Sequence, residues 1–125
     1  MDLSFENEKV KEFLVEIAKK RETINYGELC KAQYKELNFE SFPDKTKLYK
    51  SLTEISKYEQ KHDRHLLSVL VVDEITKIPG SGFFKLATDL NKYNGNESDE
   101  QRENFFKEER DNVYKIWENK SFRIR

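Results

Sequence analysis

The sequence predicts an α+β domain: a helical first half, then a strand-loop-strand element, then a long C-terminal helix. Three observations lead there. Apolar residues recur at helical spacing in separate stretches over 5–61. A leucine- and valine-rich run, Leu66 to Val72, stops at Asp73-Glu74 and is followed by the turn-forming Ile78-Pro79-Gly80-Ser81-Gly82. A last helical pattern fills 98–119. With 125 residues the chain fits one domain and one modest core. That domain, 1–125, divides into a helical part (1–65), a strand-loop-strand part (66–87) and a terminal helix (98–119).

Taken in order, Val10, Phe13, Leu14 and Ile17 follow the i, i+3, i+4, i+7 pattern of an amphipathic helix over about 5–20. Lys19, Lys20 and Arg21 suit its C-terminal dipole. Thr23-Ile24-Asn25-Tyr26 reads as extended or turn. A short helix from about 27 to 36 buries Leu29 and either Ala32 or Cys30. After a loop holding Pro43, Asp44 is the expected cap of a third helix, 44–61, with Leu48, Leu52 and Ile55 inward. Leu66–Val72 reads as a strand buried on both faces. Phe83-Phe84-Lys85-Leu86-Ala87 either returns as a second strand or starts a helix. Asn91–Ser98 is a polar loop. The final helix stacks Phe106, Val113, Tyr114 and Trp117 on one face, with Phe105 beside that stripe and the core as its expected place.

Composition narrows the function. Charged residues make up 38% and net charge is −1, so no global attraction draws the chain to nucleic acid or anionic membrane. Any such contact needs a local basic face. Nine Phe, six Tyr and one Trp argue for a folded core rather than disorder. A single cysteine, Cys30, excludes an internal disulfide and a thiolate metal cage within one chain. With no leader pattern and no long apolar run, the expectation is a soluble cytoplasmic protein without a membrane partner.

Catalytic constellations are not apparent. The segment "PGSGFFK" has neither Walker nor dinucleotide-loop spacing and reads as a turn whose aromatics dock on the core. His62, Asp63 and His65 crowd together, but no third or fourth metal ligand accompanies them. "PDK" at 43–45 and "EQK" at 59–61 lie at two ends of one helix rather than on a strand pair, as metal-dependent nuclease chemistry would want. Nothing orients Cys30 toward either histidine. The expectation is no enzyme, no cofactor, no metal and no small-molecule substrate.

The third helix is the more informative element. Opposite its apolar stripe stand Lys47, Lys50, Lys57 and Lys61, with Thr46 and Thr53 beside them and Glu54 interrupting. Such a face can sit on phosphates and release counterions, or it can be an ordinary solvated helix face. Three helices with a short second one, followed by strand-loop-strand, is the order of a winged helix.

Within that order, Thr23-Ile24-Asn25-Tyr26-Gly27-Glu28-Leu29 resembles the "T-x-Y-G-E-L" entry to the helix-turn-helix of alkyltransferase-like and O6-alkylguanine-DNA alkyltransferase C-terminal domains. The similar order covers about residues 8–86. The resemblance implies a winged-helix fold on DNA, with Tyr26 and the third helix as the nucleic-acid side. It does not imply alkyl transfer. Where that family carries Pro-Cys-His-Arg, this chain reads His65-Leu66-Leu67-Ser68-Val69, and Cys30 lies on the preceding short helix. The order YGEL, LLSxLVV, GxGFF is also similar to small bacterial proteins without an assigned role.

Two functions follow as expectations. The first is a non-catalytic DNA-binding module contacting DNA through Tyr26, Lys47, Lys50, Thr53, Lys57 and Lys61, with Lys77 as the cation of the wing. The second is a small protein-binding module, such as an immunity, inhibitor or accessory factor of a mobile-element or defence system. It would present its charged face and the Pro79–Phe84 loop to one protein partner.

Overall fold

Every long helix of this protein begins where the sequence supplies an acceptor for the open amides of a first turn. The computed structural model describes residues 2–95 and 98–118. The Ser4 hydroxyl accepts from the Asn7 N–H at the head of α1, Phe5–Lys19. Asn25 and Glu28 form a reciprocal capping box at the head of α2, Tyr26–Gln33. Ser41 caps α3, Phe42–Lys61, and Ser98 caps α5, Asp99–Trp117. The expected Asp44 cap is therefore displaced to Ser41. Pro43 sits inside the first turn, where its missing N–H costs nothing, and the Asp44 carboxylate instead accepts from the Asn38 N–H. Residue 119, the expected end of the last helix, lies outside the described residues.

Three helices end on a non-glycine residue in the left-handed region. Arg21, Asp63 and Asn91 take positive φ values of 55°, 60° and 62° just past α1, α3 and α4 (Ser81–Asp89). In each case the next residue's N–H reaches back to the helix: Glu22 to the Ile17 carbonyl, Arg64 to Glu59, Lys92 to Ala87. These are Schellman closures, built on residues that tolerate the left-handed region less well than glycine.

The broad α+β class holds, with helices dominant, but the strand-loop-strand expectation does not. Within 66–72 only Val71–Val72 is strand, β2. It pairs in parallel with β1, Ile24–Asn25, in the register Ile24 to Val71 and Asn25 to Val72. Leu67–Leu70 is a single 3-10 turn. The reason lies in its hydrogen bonds. The Leu66 N–H donates to Glu109 of α5 and the Ser68 N–H to the Ser56 hydroxyl of α3. Side chains of flanking helices thus satisfy a buried backbone that would otherwise need a strand partner.

Residues 81–89 form α4 instead of a returning strand. Phe83, Leu86 and Ala87 lie at i, i+3 and i+4 and are buried with Phe84. The actual turn is upstream, at Asp73–Ile78, where Asp73 Oδ1 accepts from the Ile75 and Thr76 N–H groups. No hairpin wing exists here.

Residues 66–72 are the centre of the core, enclosed by α1, α3 and α5. Two buried carboxylates tie the layers together. Glu59, fully buried, takes a bidentate pair from Arg64 at 2.7 and 3.1 Å and the Lys11 ammonium at 3.0 Å. Both cations also stand over the Trp117 ring. Glu109 receives the Leu66 N–H, with His65 Nδ1 at 2.9 Å and Lys92 at 3.7 Å. Phe105 is half-buried and meets Phe83, Phe84 and Tyr93, an aromatic cluster that joins α4 to α5. No helix among the described residues is long and apolar enough to cross a membrane.

Candidate functional site

The seven residues singled out in the sequence do not form one surface. Lys47, Lys50, Lys57 and Lys61 do share an exposed face of α3, and among the described residues none of them is in an ion pair. Glu54 stands among them and accepts from the Asn7 side chain of α1. Thr53 faces elsewhere, into a cavity that it lines with Tyr26 and Tyr49. Lys77 is exposed at the end of the Asp73–Ile78 turn, with φ 67°. That turn borders the side of α3 marked by Tyr49. At 100° per residue Tyr49 lies about 160° from Lys47, 100° from Lys50 and 80° from Lys57 around the helix. The lysine stripe therefore runs beside the side of α3 that borders the turn, and none of its four lysines lines the groove there.

Tyr26 has a defined structural task. It opens α2, and its hydroxyl oxygen accepts the Gly80 N–H at 2.9 Å, tying α2 to the start of α4. Burial pushes its phenol up from 10.0 to about 12, against the opposing pull of the Gly80 N–H. Its ring lies parallel to that of Phe39, with centroids 6.2 Å apart, and edge-on to that of Tyr49 at 5.5 Å.

These three rings form the floor of a groove between the start of α2, the 37–40 loop, α3 and the Asp73–Gly80 loop. Ile75 stands on its wall, 88% exposed at the tip of the turn, and Tyr49 is 44% exposed. Tyr26, Tyr49 and Gly80 also line a neighbouring cavity of about 270 Å³, backed by Leu52, Phe83 and Leu86. Ligand pockets usually span roughly 300–1,000 Å³. The cavity lies at the lower edge of that range, with room for one large side chain.

Charge around the groove is uneven. Its lining includes the carboxylates of Glu28, Glu40, Asp73 and Glu74 but only two ammonium groups, Lys31 and Lys45. Glu28 is partly engaged by the Asn25 N–H. The Thr76 and Ile75 N–H groups hold the Asp73 carboxyl below its ordinary range. Among the described residues no group of three or more His, Cys, Asp or Glu side chains is arranged to hold a metal ion.

No family model, curated protein or solved structure matches this chain.

Sequence reasoning passed over Phe39, Tyr49 and Ile75. One signal was present. Tyr49 falls off the Leu48, Leu52 and Ile55 stripe of its own helix, and Ile75 is an isolated apolar residue in a polar turn. Neither residue has a core to fill.

Proposed function

We propose that this protein is a non-catalytic protein-recognition module, of the immunity, inhibitor or accessory kind, which takes a segment of its partner into the aromatic groove. One observation carries the reading: Tyr26, Phe39, Tyr49 and Ile75 converge on a groove that shares Tyr26, Tyr49 and Gly80 with a small neighbouring cavity. Exposed aromatic and aliphatic groups beside a small pocket are what interface hot spots are built from. The Pro79–Phe84 segment contributes through backbone and cavity wall, since Phe83 and Phe84 are themselves buried.

Selection of peptides from a random displayed library tests this, run in parallel on the wild type and on Tyr49→Ala. Peptides enriched by the wild type and lost with Tyr49→Ala are the expected result. The same peptides enriched by both proteins, or none by the wild type, would reject the groove.

A second reading rests on the α3 lysines. Four exposed ammonium groups on one face, in no ion pair among the described residues, can contact a DNA backbone. The order α1, β1, α2, α3 fits the helical part of a winged helix, although Tyr26, Thr53 and Lys77 lie away from that face. Duplex DNA binding that weakens steeply with salt, and disappears in Lys50→Glu/Lys57→Glu, is what this reading expects. Binding that survives the double change removes it.

A further inference from the structure

We infer that the segment held by the groove is cationic, a stretch of partner chain with Arg or Lys side chains on both sides of one apolar anchor. The inference rests on the protein-recognition reading of the same groove and adds the chemistry of what enters it.

Three observations bear on it. The groove is lined by four carboxylates against two ammonium groups. Glu40 and Glu74 are exposed and, among the described residues, in no ion pair. A phosphate backbone laid here would meet like charge, whereas a basic peptide would meet opposite charge. The aromatic floor also accepts cations already: the Lys45 ammonium stands 5.0 Å from the centroid of the Phe39 ring. An incoming guanidinium can do the same on the exposed part of Tyr49, with Glu74 or Asp73 nearby as counter-charge. Finally, the cavity beyond Tyr26 and Tyr49 is walled by Leu52, Phe83 and Leu86, an apolar seat for the anchor between the two cationic flanks.

The distribution of charge gives this groove a polarity that the whole chain lacks. Net charge is −1, yet Lys47, Lys50, Lys57 and Lys61 of α3 lie outside the groove, which α3 lines with Lys45 and Tyr49. A basic segment is therefore favoured at the groove over the stripe of Lys47, Lys50, Lys57 and Lys61.

Three synthetic peptides of equal length test the inference, each with a central Phe and flanks of Arg, Gln or Glu, and each carrying a neutral fluorophore. Their binding is measured by anisotropy at low and high salt, on the wild type, on Glu40→Lys/Glu74→Lys and on Tyr49→Ala. Glu40, Glu74 and Tyr49 are surface positions, and a melting curve accompanies each variant. The Arg-flanked peptide is expected to bind the wild type best, to weaken with salt, and to lose roughly tenfold in affinity on the charge-reversed protein. The Glu-flanked peptide should gain on that same variant.

Equal binding of the Arg- and Gln-flanked peptides, lost in Tyr49→Ala, would overturn the cationic inference and leave the groove reading standing. Arg-flanked binding that ignores the charge reversal would overturn it as well. No binding by any of the three also overturns it, and the library selection then decides separately whether the groove takes peptides at all.

Discussion

Tyr26 shows how one side chain joins fold and site. Its hydroxyl holds the Gly80 N–H and its ring floors the groove, so the two roles separate in a conservative substitution. Tyr26→Phe keeps the ring and removes the acceptor, which should cost about 1 kcal/mol in urea unfolding. It should also change the alkaline limb of the stability curve. The folded phenol ionises near 12 and the unfolded one near 10.0, so its contribution is complete below pH 10 and is lost as pH rises through the folded value. The wild type should therefore lose stability more steeply than Tyr26→Phe over that window. Parallel curves for the two proteins would contradict the buried phenol.

Glu59 is the second residue with a sharp prediction. Two cations surround a carboxylate that has no contact with solvent. Glu59→Gln leaves Lys11 buried without a counter-charge, a change expected to destabilise by about 3–5 kcal/mol. A shift in melting temperature too small to resolve would mean that the cluster relaxes into solvent.

At the scale of elements, caps and packing can be read apart. Asn25→Ala removes the acceptor for the Glu28 N–H and should cost about 1 kcal/mol in chemical denaturation. Gly82→Ala should act in the opposite sense. It lies in the first turn of α4, and a Cβ there meets nothing within 4 Å, so a gain of about 0.5 kcal/mol is expected from the reduced freedom of the unfolded chain. A destabilised Gly82→Ala would show that the backbone needs glycine at that point.

Elements also show where sequence reasoning works. Residues 5–20 and 44–61 carry apolar stripes of helical period, and α1 and α3 occupy nearly those bounds. Leu66–Val72 has no period to read. An unbroken apolar run is compatible with a buried strand or with a buried turn. What decided between them was Ser56 and Glu109, which lie 12 and 43 residues from the amides they satisfy. Gly80 misled in a related way, because a glycine that ends a turn and one that precedes a helix look alike. The absence of glycine after α1, α3 and α4 gave no local sign of their Schellman ends.

For the whole molecule, net charge conceals separation of charge. The lysine stripe was visible because one helix carries it. The groove was not, because its walls come from residues near 26, 39, 49 and 75, which only the parallel pairing of β1 with β2 and the hydrogen bond from Gly80 to Tyr26 bring together. Two faces of opposite character then remain on one small domain, and the proposed recognition falls on the acidic, aromatic one.

The most direct test is an amide-resolved NMR titration of the wild type with the Arg-flanked peptide and, separately, with a short DNA duplex. Saturable shifts are expected at Tyr26, Gly27, Tyr49, Gly80 and Gly82 with the peptide, while the amides of Lys57 and Lys61 stay in place. A duplex that moves the α3 lysines, together with a peptide that moves nothing in the groove, would contradict the groove reading.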